Sequence, residues 1–130
     1  MLAVDTNVLL RLLVDDPDAV EQCERARARV KREEQVFVPF VAVIEAIWVL
    51  RASYRFSKKE ILKVFEQLLE NERYQIGNGK VFGDALTSYL SVNVDFADCA
   101  IHAEARREGA GLLTFDRKLE RLNGVEVLHY

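Results

Sequence analysis

The sequence predicts an α/β fold around a mostly parallel sheet, and three observations carry that prediction. Short apolar runs that read as strands ("LAV", "VFVP", "RYQIG", "GLLTF", "VEVLHY") alternate with longer stretches of helical period. Strands separated by helices pair in parallel, because the crossover must return the chain to the same edge of the sheet. The 130 residues are half apolar and 30% charged, enough to close one core in a single domain spanning 1–130. No linker, internal repeat or low-complexity segment interrupts the pattern.

The elements follow in order. Residues 1–5 read as a strand, with Thr6 as the N-cap of the short apolar helix "NVLLRLLV", which stops at Asp15-Asp16-Pro17. "DAVEQCERARARVKREE" is helical, and its basic run of Arg25, Arg27, Arg29, Lys31 and Arg32 is matched by acids, as on a solvated mixed-charge face. "VFVP" is a strand ended by Pro39. "FVAVIEAIWVLRAS" is apolar nearly all round, which predicts a helix buried on more than one side. In a domain this small, a second copy or a partner is expected to cover one face. "SKKEILKVFEQLLEN" opens with Ser57 and Glu60 at capping-box spacing. "RYQIG" is a strand and "KVFGDALTSYLS" a helix. "DFADCAIHAEARREG" is a helix with Asp95 as N-cap and Gly109 as C-cap. "GLLTF", the short helix "DRKLERL", the Asn123-Gly124 turn and "VEVLHY" complete the chain.

Composition excludes several classes. No apolar run approaches the roughly 18–20 residues of a membrane span. Met1 leads directly into the first strand without a basic or apolar leader, so the expected location is the cytoplasm. Cys23 and Cys99 have neither metal-ligand nor disulfide spacing and are expected as free buried thiols. The net charge of −3 carries no basic surplus of the kind that marks many nucleic-acid binders.

Four acids stand in apolar stretches: Asp5 in "LAVDTN", Glu45 in "VAVIEAIWVL", Asp98 in "DFADCAIH" and Asp116 in "LLTFDRK". Asp5 and Asp116 fall at the carboxyl ends of strands, the edge where open parallel sheets bind ligands. Convergence of the four would raise their pKa values by repulsion and desolvation. No comparable set of basic residues lies in those stretches. A hard divalent cation would compensate them, and such a cluster suits phosphodiester hydrolysis.

These segments also carry a resemblance. "DTNVLLRLL", "PFVAVIEAIWVLR", "DFADCAI" and "LLTFDRKL" resemble, in order, the four landmark segments of PIN-domain ribonucleases, and more narrowly the toxin subunits of VapBC toxin–antitoxin systems. The resemblance implies a three-layer α/β/α sandwich and Mg²⁺- or Mn²⁺-dependent endoribonuclease activity. It implies Asp5, Glu45, Asp98 and Asp116 as the metal-binding acids, Asn7 as a polar residue orienting the first acid, and Thr114 as a pocket hydroxyl. It further implies an RNA substrate, a homodimer and a cognate VapB-type antitoxin. "DFAD" offers two acids; the resemblance aligns Asp98 with the metal site, and Asp95 suits the cap. Cys99 stands where relatives often carry Ala.

Other residues have plainer readings. His102, four residues after Asp98, is expected to pack in the core; Trp48, Ile47 and Val43 likewise. Arg117, Lys118 and Arg121 form either an exposed helix face or a hold on the RNA backbone, and Arg11 is similar. A phosphoacceptor receiver domain shares the size and the strand-end acids, but "VFVP" ends without the acceptor Asp and no strand ends in the required Lys. The remaining alternative is a PIN-like module that binds RNA or protein without cutting it.

Overall fold

The computed structural model describes all residues, Met1–Tyr130, which divide into two compact units, Met1–Gly77 and Asn78–Tyr130. The first holds β1 (Leu2–Ala3), α1 (Thr6–Leu13), α2 (Val20–Val30), β2 (Val36–Val38), α3 (Phe40–Ala52), α4 (Lys58–Glu70) and β3 (Tyr74–Ile76). Its three strands form a parallel sheet in the order β1-β2-β3, with Leu2 opposite Val36 and Val38 opposite Ile76. Two helices fill each crossover, as parallel pairing requires. Central β2 buries both Val36 and Val38, and α1 packs against α2, α3 and α4 through Leu9 and Leu10.

Helix α3 corrects one expectation. It buries Ala42, Val43, Ala46, Ile47 and Leu50, but Val41, Glu45, Trp48 and Ala52 form an exposed stripe at helical spacing. Val41 and Trp48 are each 67% exposed, so Trp48 is not a core residue. Uniform apolarity hid a one-sided helix.

The basic run on α2 does more than face solvent. Arg25–Glu21 and Arg29–Glu33 are i,i+4 surface pairs. Arg27 instead donates to the Arg11 and Val14 carbonyls at 3.2 and 3.1 Å, satisfying acceptors that the end of α1 leaves open. Arg11 is also turned inward: it donates to Tyr54 at 3.2 Å and to Gln22 at 2.8 Å. The Tyr54 hydroxyl donates to Asp16 at 2.5 Å, which holds the Asp16 carboxyl below its usual range and pushes the Tyr54 phenol up. This network ties the turn after α1 to the segment after α3.

The second unit holds α5 (Gly79–Ser91), α6 (Phe96–Arg107), β4 (Leu112–Thr114), a 3₁₀ helix (Arg117–Arg121) and β5 (Val125–Val127). Strands β4 and β5 pair in parallel, Leu112 opposite Val125 and Thr114 opposite Val127. Helices α5 and α6 pack on each other, with the Phe96 ring 6.2 Å from Phe82 and 5.6 Å, edge-on, from Tyr89. Asp84 and Arg107 bridge the pair at 2.7 Å. Glycine is required just after α6, where Gly109 has φ +71°, and at the tight turn, where Gly124 has φ +73°. Neither cysteine is in a disulfide, and both are buried. No helix is long and apolar enough to cross a membrane.

At α4 the expected capping box is complete. The Ser57 hydroxyl accepts from the Glu60 N–H at 3.1 Å, and the Glu60 carboxylate accepts from the Ser57 N–H at 2.9 Å. Ser57→Ala is therefore expected to destabilise the protein by about 1 kcal/mol in urea unfolding, with an unchanged denaturant slope.

Candidate active site

Asp5 follows β1 in an extended conformation (φ −88°, ψ −179°) and is itself the N-cap of α1. Its Oδ1 accepts from the Val8 N–H at 3.0 Å. The carboxylate thus sits on the positive end of a helix, the environment that favours its charge. The cap was expected at Thr6. The helix starts one residue earlier, because the carboxylate takes the capping bond and frees the Thr6 hydroxyl for another partner.

That partner is Glu45. Thr6 Oγ1 donates to Glu45 Oε1 at 2.9 Å, joining the first residue of α1 to the exposed stripe of α3 across 39 positions of sequence. Glu45 was expected to be buried, and so was Asp5, hard against the core. Both are exposed, since Asp5 lies beyond the sheet edge and Glu45 on the outward face of α3. Asn7 is exposed in the first turn of α1. Thr6 is the residue that sequence reasoning missed. Its role depends on a contact between distant segments, and only the neighbouring Asp5 hinted at it.

In the second unit, Asp98 lies in the first turn of α6 and is half-buried. Burial pushes its carboxyl up from the usual range, and the charges of Asp95 and Asp116 push it further, while Lys118 opposes them. Asp95 occupies the N-cap position but its side chain makes no capping bond, and its charge is one of the two that push Asp98 up. Asp116, exposed beyond the end of β4, caps the 3₁₀ helix: Oδ1 accepts from the Lys118 N–H at 2.9 Å. The Asp116 N–H donates to Thr114 Oγ1 at 3.0 Å, so Thr114 fixes the backbone that carries the acid. His102 is buried and its Nε2 lies 2.7 Å from the Asn123 carbonyl. The carbonyl can only accept, so Nε2 carries a proton there and ties α6 to the turn.

The structure therefore brings together Asp5, Thr6 and Glu45 in one unit, and Asp95, Asp98, Asp116, Thr114 and Lys118 in the other. No three of the His, Cys, Asp and Glu side chains are gathered closely enough to hold a metal ion. The donors fit a hard divalent cation in kind and in charge. They are carboxylate oxygens, and the acids around Asp98 carry more negative charge than Lys118 offsets.

Comparison with known proteins gives the following. The pattern of the PIN domain matches residues 2–125 of the chain. The chain is 27% identical over 124 residues to a protein named VapC ribonuclease from Aquifex aeolicus, covering 94% of this chain and 92% of that one. Among solved structures, it is similar to Mycobacterium tuberculosis VapC20, described as a sarcin-ricin loop cleaving toxin (15% identity, 99% and 100% of the two chains, TM-score 0.45). It is also similar to a toxin–antitoxin complex from Klebsiella pneumoniae (14% identity, 98% and 97%, TM-score 0.37).

The electrostatics of Asp98 are directly measurable. A carboxyl whose folded pKa is raised binds its proton more tightly folded than unfolded. It therefore costs stability above its folded pKa, and that cost fades as pH falls through the raised value toward the unfolded one. Asp98→Asn is expected to stabilise the metal-free protein near neutral pH, with the gain vanishing in acid. Asp95→Asn is expected to lower the Asp98 pKa seen by carboxyl NMR titration.

Proposed function

The chain belongs to the PIN domain family, and from that membership we propose that it is a Mg²⁺- or Mn²⁺-dependent endoribonuclease, the toxin of a type II toxin–antitoxin system. The observation that carries the reading is Asp98, half-buried in the first turn of α6, whose carboxyl is pushed up first by burial and then by the charges of Asp95 and Asp116. A protein gains nothing in stability from such a group, and a cation-dependent hydrolase needs one. The Aquifex relative named as a ribonuclease, similar along nearly the whole chain, supports the same reading.

Asp98 and Asp116 would supply oxygens to the cation in the second unit, and Asp5 and Glu45 are the further acids that the family resemblance implies. When bound, the cation lowers the pKa of water and offsets charge on the scissile phosphate. The chain's own residues hold those oxygens ready. The Val8 N–H fixes Asp5, the Thr6 hydroxyl fixes Glu45, and the Lys118 N–H fixes Asp116. Thr114 sets the backbone under Asp116, and Asn7, exposed in the first turn of α1, is the polar residue that the resemblance implies beside Asp5. Exposed Arg117, Lys118 and Arg121 hold the RNA backbone beside the acids.

The partners follow from the same chemistry. Carboxylates left without a cation suit an Arg from a VapB-type antitoxin, through charge-assisted hydrogen bonds. The outward Val41 and Trp48 on α3 suit a second copy of the chain in a homodimer. Its place of action is the cytoplasm, where its RNA would be.

The partner-free protein should cut a mixed cellular RNA pool into discrete fragments with Mg²⁺ or Mn²⁺ and not with EDTA. Asp5→Asn, Glu45→Gln, Asp98→Asn and Asp116→Asn should each slow cleavage at least about 100-fold. Folded protein that binds RNA and leaves it intact under all these conditions would establish the non-catalytic binding module instead. Thr6→Val removes only the hydroxyl that holds Glu45. It should lower cleavage about 10- to 100-fold while leaving the melting temperature close to wild type.

A further inference from the structure

Parallel pairing of β4 and β5 carries the chain on from Thr114 alongside the chain on from Val127. The Leu128 N–H donates to the Thr114 carbonyl at 2.8 Å, so the register holds one residue past the strands. Beyond it, the Phe115 and Tyr130 rings meet edge to face, 5.7 Å between centroids at 82°. Neither ring is in a core: Phe115 is 64% exposed and Tyr130 fully so. Together with Arg117, Leu128 and His129 they line an open cleft of about 370 Å³.

Strand alternation sets Phe115 on the side opposite Thr114 and Asp116. Asp116, the acid that the ribonuclease reading places at the scissile phosphate, is flanked in sequence by two residues of the cleft lining, Phe115 and Arg117. A strand held at Asp116 therefore has the cleft within reach around the edge of β4, with Arg117 as the link. The lining selects its occupant. Two flat π-faces, a guanidinium and an imidazole match a base and its phosphate, which is how single-stranded nucleic acid is held without regard to sequence. Lys118 and Arg121, both exposed on the adjoining 3₁₀ helix, extend the positive charge along the path of the backbone.

We propose that this cleft is a nucleobase subsite: Phe115 and Tyr130 stack an unpaired base of the RNA flanking the cleaved bond, and Arg117 holds its phosphate. The proposal rests on the ribonuclease reading for its strand and adds where that strand is gripped.

The test is binding by fluorescence anisotropy, in EDTA and in an Asp98→Asn background that removes turnover. The probes are a labelled single-stranded oligoribonucleotide and the same strand with abasic sites. Phe115→Ala and Tyr130→Ala should each weaken binding of the intact strand roughly tenfold and leave the abasic strand unaffected. Phe115→Tyr and Tyr130→Phe should bind as the parent does. Alanine variants that bind the intact strand as tightly as the parent overturn the subsite, as does a lower melting temperature with unchanged affinity, because the rings would then only brace β4 against β5. Cleavage with Mg²⁺ by the protein with Asp98 intact separates the two readings. Ring-dependent binding without cleavage keeps the subsite and removes the nuclease. Cleavage with ring-independent binding does the reverse.

Discussion

A carboxylate at the end of a strand needs something to receive its charge, and the local structure of this protein is arranged around that need. Asp5 stands directly after the two-residue β1, and the Val8 N–H receives it. That bond starts α1 one residue earlier than a Thr cap would. It thereby releases the Thr6 hydroxyl, which reaches Glu45 on α3. One capping bond therefore fixes where α1 begins and how α1 meets α3. Asp116 repeats the device at the end of β4, capping the 3₁₀ helix while Thr114 holds its backbone. In both places a backbone N–H holds the acid in one orientation without neutralising it.

Asp98 is handled differently. It lies in the first turn of α6, where the helix end favours negative charge, yet burial and two neighbouring acids outweigh that benefit. Asp95 could have spent its charge on a capping bond and does not. The unit is otherwise well paired. Asp84 meets Arg107, His102 meets a carbonyl, and the aromatic rings of α5 and α6 interlock. An imbalance confined to one corner of a settled structure marks a functional site more strongly than perturbed charges scattered over a surface.

The strands and helices were legible in the sequence because their signals are local. Alternating apolar runs, the Ser57–Glu60 spacing and the glycines at 109 and 124 each speak for their own segment. The four acids stood out because an ionisable group in an apolar run is costly if buried, yet Asp5, Glu45 and Asp116 avoid that cost by lying exposed. What stayed hidden depends on distant partners. Glu45 looked buried because its sequence neighbours are apolar, but a helix with an apolar outer stripe reads the same as one buried on all sides. Arg11 looked like a surface base, and Tyr54, 43 residues away, turns it inward. Asp95 had the right residue type and position for a cap, and a nearby charge does not register in either.

Net charge misleads for a related reason. A total of −3 argues against a nucleic-acid partner only if charge is spread evenly, and here it is not. Much of the basic content is committed to structure: Arg27 and Arg73 donate to helix-end carbonyls, Arg11 to Tyr54, Arg107 to Asp84. The acids at the end of β4 are followed directly by Arg117, Lys118 and Arg121, all exposed. A phosphate strand approaching Asp116 meets these cations before the average charge of the surface, since screening in physiological salt limits distant charges to about 8 Å. Opposite charges set side by side, as Asp116 is with Arg117 and Lys118, cancel in a net charge while remaining distinct at the range of a single phosphate.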